Sequence, residues 1–274
     1  MYKMWLCALL VTPPRIMNAP EIVSGALVGL LVGLTGVGGG SLMTPLLVLV
    51  FGVHPMGAVG TDLWFAAGTK LVASRFYHTQ GTIDWDILKR LWLGSLSASL
   101  VTLGVVSYIG KSPHVSSMIT AAVAVAVLLS ALAMLFKARR AVASPSDLHL
   151  MEPVKSALTV FVGALLGVIV TLTSVGAGAV GAVMLSMLYP RRLSPARLVA
   201  TDVVHAVPLA FIAGMGHLLL GNVDFRLLGA LLIGSIPTVI IGALLSTRLA
   251  AHWVRRLLAI ILLVVGVKML SSVI

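Results

Sequence analysis

Eight apolar runs separated by short charged breaks dominate this sequence, and they leave little freedom in what it can become. A helix needs about 20 apolar residues to cross the roughly 30 Å hydrocarbon layer of a membrane. Six runs meet that length: Gly57–Phe76, Ile87–Ile109, Val115–Phe136, Leu198–Leu220, Leu227–Leu249 and Leu257–Ile274. Charged residues make up 10% of the 274 and hydrophobic ones 59%, with a mean hydropathy of +1.10. A soluble domain carries about 25% charged residues, so this chain cannot clothe a soluble surface. Disorder is excluded too, because it requires low hydrophobicity. The net charge of +11 would suit a nucleic-acid binder, but the charges lie between apolar runs, as in the cytoplasmic loops of membrane proteins. No nucleic-acid partner is expected; the lipid bilayer is. Cys7 is the single cysteine, which excludes an internal disulfide and a multi-cysteine metal site. Met4–Val11 is too short for a signal-peptide core with a cleavage site, so the chain is read as uncleaved.

The other two runs, Ile22–Val53 and Val154–Tyr189, have awkward lengths. The first holds 32 residues, about 48 Å as helix. That is too long for one crossing and too short for two with a turn. Both are interrupted by glycines, at 36–40 and at 176–178. Such breaks point to paired half-helices or a re-entrant hairpin at membrane depth. The segment count therefore stands between eight and ten.

Self-comparison at an offset of 140 places Gly36 and Gly38 on Gly176 and Gly178, Pro55 on Pro195, and Thr61-Asp62 on Thr201-Asp202. Gly81, Asp84 and Gly94-Ser95 fall on Gly221, Asp224 and Gly234-Ser235. Four of the eight acidic residues pair in this way. The basic residues do not: Arg191, Arg192 and Arg197 fall on Phe51, Gly52 and Gly57. Matched backbone motifs with mismatched charge are the signature of two inverted repeats, since Lys and Arg set orientation. The expected fold is all-α, a polytopic membrane helix bundle. It has an N-terminal segment (1–20), a first repeat (21–136), a cytoplasmic linker (137–153) and a second, inverted repeat (154–274). With the N-terminus outside, most basic residues, among them Lys89, Arg90, Lys155, Arg191, Arg192 and Arg197, lie inside.

Gly36-Val37-Gly38-Gly39-Gly40, Pro45, Gly60-Thr61-Asp62-Leu63, Gly81-Thr82-Ile83-Asp84-Trp85 and Gly94-Ser95 resemble the sulfite exporter TauE/SafE family. Ser174–Ala179 and Asp202–Pro208 are similar to that family's second copy, and the resemblance spans roughly residues 20–272. It implies a multi-pass inner-membrane carrier of small anions, such as sulfite or organosulfonates, with export as the implied direction. The second glycine cluster departs from the first, with Ala179 and Val180 in place of Gly39 and Gly40.

The candidate substrate-binding residues are Gly36, Gly38, Gly39, Gly40, Thr61, Gly176, Gly178, Thr201 and Lys70. Helix N-termini present unpaired N–H groups to anions, and glycine permits close approach. Close helix packing is the plainer reading for glycine, and Gly25-xxx-Gly29-xxx-Gly33 is read that way. Lys70 lies inside an apolar span, free to pair with an aspartate, meet an anion or snorkel. Asp62, Asp202 and His205 are the candidates for gating or proton coupling. For the aspartates the plainer role is capping, because helices starting near Gly57 and Leu198 put both in or near the first turn. Asp84 and Asp224 read as turn residues beside the interfacial aromatics Trp85 and Phe225.

The expected activity is secondary transport by alternating access, with a small anion and protons as partners. No Walker motif is present, and the scattered histidines form no metal-ligand spacing, so no cofactor, metal or enzymatic chemistry is expected. A non-transporting membrane partner of an assembly complex, or a carrier of a different small organic anion, are the alternatives.

Overall fold

The computed structural model describes residues 19–35, 40–79, 83–109, 113–140, 151–176, 178–245 and 251–271. Every element among them is an α-helix. The first half supplies α1 (Ala19–Thr35), α2 (Gly40–Leu49), α3 (Pro55–Thr79), α4 (Trp85–Ile109) and α5 (Pro113–Arg140). The second supplies α6 (Glu152–Thr173), α7 (Ala179–Leu188), α8 (Pro195–Leu219), α9 (Phe225–Leu245) and α10 (Ala251–Ser271). Shifted by 140, α3 superposes in sequence on α8 end for end. Each begins on a proline, whose missing N–H would have no helical partner in the first turn anyway. The linker and the N-terminal segment fall largely outside the described residues.

Among the described residues, five stretches are long and apolar enough to cross a membrane: Trp85–Ile109, Ser117–Leu135, Glu152–Thr173, Ala196–Leu219 and Phe225–Leu245. α4 shows how they suit lipid. Its apolar Leu93, Leu100, Val101 and Val105 face outward, while Ser95, Ser99 and Thr102 are buried. A polar group facing lipid would go unsatisfied, so the amphipathic pattern of a soluble helix is turned inside out. α3 is long enough, at about 37 Å, but carries Asp62 and Lys70, both buried in the bundle.

The helices pair across the two halves. α1 packs most extensively on α9 and α4 on α6, while α3 pairs with α8 and α5 with α10. The first two pairs are nearly superposable contact for contact. A methyl group at Gly25 would lie 2.2 Å from the Leu231 carbonyl, and one at Gly163 would lie 2.5 Å from that of Leu91. A methyl group at Gly29 would likewise collide with the Ser235 carbonyl, as one at Gly167 would with that of Ser95. In return, methyl groups at Gly234 and Gly94 would collide with the Ile22 and Val160 carbonyls. The glycine stripe of α1 is thus a packing face, extended by Gly33 against Val239. Small residues let two backbones touch where apolar burial gives no net drive between helices. In these contacts α1 matches α6 at an offset of 138 rather than 140; the second half has one extra residue between α6 and α7 and another between α7 and α8.

The second awkward run is broken as expected, while the expected break of the first falls outside the described residues. α1 stops at Thr35 and α2 starts at Gly40, with 36–39 outside the described residues. α6 ends in Ser174, which is left-handed (φ 58°) and bonds its amide to the Val170 carbonyl at 2.7 Å. Gly176 and Gly178 follow at φ 117° and 136°, conformations that an L side chain rarely adopts. The chain then turns back. Gly181 approaches Leu166, and Tyr189 just beyond α7 bonds Thr159 near the start of α6 (Oη to Oγ1, 2.7 Å). α7 is therefore the returning arm of a hairpin, and its ten residues cover only about 15 Å, half the hydrocarbon thickness.

Candidate substrate site

α3 and α8 form the centre, locked together by Trp64, whose Nε1 donates to the Gly214 carbonyl at 3.0 Å. Their starts at Pro55 and Pro195 make Asp62 and Asp202 the eighth residue of each helix. This corrects the capping expectation: both aspartates stand in the second turn, fully buried, beyond reach of solvent. The threonines beside them tie the two halves reciprocally. Thr61 Oγ1 accepts from the Asp224 amide at 3.1 Å, and Thr201 Oγ1 from the Asp84 amide at 3.1 Å. Each hydroxyl thus holds the start of the fourth helix of the opposite half.

Asp62 is held by Thr44 of α2, whose hydroxyl donates to Oδ2 at 2.5 Å. Its Oδ1 is buried with no hydrogen-bond partner among the described residues. Ser174, in the second break, is buried, and its hydroxyl has no hydrogen-bond partner among the described residues. Asp202 lies against the first turn of α7, where a Cβ at Gly181 would come within 2.7 Å of Oδ1. Lys70 is 3% exposed, buried in the bundle, with both Asp202 and Asp62 acting on it electrostatically. The residue therefore serves the aspartates from the bundle interior and does not snorkel.

His205 completes the cluster. Its Nε2 lies 2.8 Å from Ser95 Oγ, and Trp92 Nε1 donates to its carbonyl at 3.2 Å. His217, three turns further along α8, was not distinguished by its sequence context. It is 1% exposed with Nε2 donating to the Thr171 carbonyl at 2.9 Å. Thr44, Ser95 and Ser174 also reach the centre. The repeat marks Ser95, since Gly94-Ser95 falls on Gly234-Ser235, but not as a residue of the centre. Of the expected substrate residues, Gly176 and Gly178 lie in the break facing this cluster, Gly40 opens α2, and Gly36, Gly38 and Gly39 lie outside the described residues.

The two ends of the bundle differ in charge. Around the starts of α4, α6 and α8, Arg192 forms a fork on Asp84, with Nε to Oδ2 at 2.6 Å and Nη2 to Oδ1 at 2.8 Å, and reaches Asp86 at 2.9 Å. Those bonds, led by Asp84, push the guanidinium further toward its charged form. Asp84 is thus a buried ion-pair partner as well as a turn residue, and it also accepts from the Ile87 amide at 3.3 Å. Around the starts of α1, α3 and α9, Asp224 only caps α9 through the Arg226 and Leu227 amides, and Arg226 meets Glu21 at 3.7 Å.

A lipid-facing helical bundle that spends its polar residues on a buried, charged centre and breaks a helix beside it is the architecture of a polytopic membrane transporter. The chain belongs to the sulfite exporter TauE/SafE family, whose model matches residues 22–269. It is 37% identical over 258 residues to the Bacillus subtilis (strain 168) protein named "Probable membrane transporter protein YjnA", covering 93% of this chain and 100% of that one. No solved structure matches it.

Proposed function

We propose that this protein is a secondary transporter that exports small sulfur-containing anions, sulfite or organosulfonates, by alternating access between two inverted halves. The observation that carries the reading is the reciprocal packing around α3 and α8: the Thr61–Asp224 and Thr201–Asp84 ties and the glycine contacts of α1–α9 and α4–α6 recur with the halves exchanged, and a broken hairpin meets the centre. Parallel contacts place the start of α1 beside that of α9 and the start of α6 beside that of α4, which supports an inverted arrangement. The charges support an orientation. Lys89, Arg90, Lys155, Arg191, Arg192 and Arg197 gather where α4, α6 and α8 begin, against Arg226 where α1, α3 and α9 begin. The first end is then cytoplasmic in the inner (plasma) membrane, and the N-terminus is outside.

In this reading the backbone at Gly176 and Gly178, together with Lys70, receives the anion, while Asp62, Asp202 and His205 handle protons. The test is flux of labelled sulfite into proteoliposomes, with and without a pH gradient. Saturable flux that Lys70→Ala cuts far more than Lys111→Ala is expected. Saturable flux of carboxylates alone would make the protein a carrier of a different organic anion. Absence of any saturable anion flux would favour a non-transporting membrane partner.

A further inference from the structure

We infer that His205 contacts the transported anion directly, as a neutral N–H donor at Nδ1, and that His217 on the same helix does not. The inference rests on the anion-transport reading above and adds, to the proton role given there to His205, a contact with the anion itself. Both rings are buried in α8, and in each Nε2 is bonded while Nδ1 has no hydrogen-bond partner among the described residues. A neutral imidazole keeps its proton on one nitrogen only, and the partner of Nε2 decides which.

The two partners decide differently. His217 Nε2 lies 2.9 Å from the Thr171 carbonyl, which has no proton to give, so Nε2 carries the proton and Nδ1 is a bare lone pair. His205 Nε2 lies 2.8 Å from Ser95 Oγ, a group able to give as well as take. Ser95 is fully buried, and its hydroxyl reaches nothing else among the described residues. Were Nε2 the donor, the serine proton and the Nδ1 lone pair would both be stranded. With the serine donating, one group is left over, the Nδ1–H. Buried polar groups are rarely left unmatched, so the arrangement with fewer orphans is the one that holds. The repeat agrees. The position matching His205 is Phe65, whose ring has no nitrogen, and Ser235, which matches Ser95, turns its hydroxyl back on the Leu232 carbonyl at 3.4 Å. Ser95 makes no such return, because the imidazole takes its proton.

The leftover N–H also stands at a fitting depth. Ser95 and His205 are the eleventh residues of α4 and α8, each about 15 Å from its helix start, half the hydrocarbon thickness. Secondary carriers bind their substrates near that midplane. The first turn of α7 lies on α8 at Asp202, one turn before His205, and Trp92 fixes α8 at this level by donating to the His205 carbonyl. His217 stands two residues before the end of α8, far from it. An N–H in the membrane interior is costly unless something accepts from it, and the oxygen of an oxyanion is a strong acceptor. A neutral donor holds the anion without adding a fixed charge, whereas the lone pair of His217 would repel it.

The experiment uses the full chain in bilayers, with isethionate and sulfite as probes. Nitrogen NMR of labelled histidine, assigned through sequence neighbours, reads the rings. In the empty protein His205 should carry its proton on Nδ1 and His217 on Nε2. Added isethionate should shift the His205 Nδ1 signal and leave that of His217. The amide nitrogen of His205→Asn overlays Nδ1 and should keep the dissociation constant for isethionate within about threefold. His205→Gln, whose amide reaches only the Nε2 position and still accepts from Ser95, should weaken binding about tenfold or more. A proton on His205 Nε2, an Nδ1 signal unmoved by saturating anion, or equal weakening in the two variants would overturn the inference while leaving anion transport standing. If the variants do not fold, the spectra of the unmodified protein decide alone. If neither isethionate nor sulfite binds, the anion-transport reading falls and takes this one with it.

Discussion

Asp62 and Asp202 sit at matching positions on matching helices, yet the first is held by the Thr44 hydroxyl while the second lies against Gly181 of α7. The counterpart of Thr44 in α7 is Met184, which has no proton to offer a carboxylate. Lys70, which acts electrostatically on both aspartates, has Ala210 as its counterpart. The frame has stayed symmetric while the charges on it have diverged. Backbone ties such as Thr61 to Asp224 and Thr201 to Asp84 cannot be altered in one half without loosening the other. The side chains that face the centre are free of that restraint, so they can differ between the halves.

Four substitution experiments press on this contrast. The largest effect is expected from Lys70→Met, which strands Asp202 in the interior. Breaking a buried pair on one side costs about 3–5 kcal/mol, to be read as a loss of thermal stability in mild detergent. A cost under about 1 kcal/mol would mean that Lys70 does not compensate Asp202. Next come Gly29→Val and Gly167→Val, which overpack equivalent crossings and should destabilise by similar amounts, about 1–3 kcal/mol or more. A clear inequality would break the symmetry of the frame. Thr44→Val should cost about 2 kcal/mol near neutral pH. It removes a donor to an ionised carboxylate, so the stability contributed by that bond is present when Asp62 is ionised and is lost as falling pH protonates it. The unmodified protein and the variant should therefore converge in stability on acidification. The smallest contrast is between the ends: Arg192→Ala should cost about 1 kcal/mol, and Arg226→Ala, with its single longer contact, less than that. Equal effects would remove the distinction between the two ends.

Much of the frame could be read from the sequence. Apolar run lengths gave the helices, glycine breaks gave the interruptions, and the offset of 140 gave the correspondence of α3 with α8 to the residue. What periodicity could not supply was the partner across the bundle. Nothing local tells Arg192 that its carboxylate is Asp84, 108 positions earlier, so Asp84 read as a turn residue alone. The aspartates were misplaced for a related reason. A helix start judged by hydrophobicity falls at Gly57, whereas the proline at 55 begins the helix two residues sooner and carries Asp62 inside. His217 and Ser174 stayed hidden because a single polar residue in an apolar run looks the same whether it faces a neighbour or a ligand.

The exchange of first and fourth helices between halves also governs how the chain can be made. Gly29 packs on Ser235, so α1, once out of the ribosome, waits for a partner encoded more than 200 residues later. At about 5–20 residues per second, that delay is roughly 10–40 s. Throughout it, the notched glycine side of α1 has only lipid, or the insertion machinery, to lean on. A nascent chain cut off before α9 would be left with an open seam, which makes the second half a template for finishing the first.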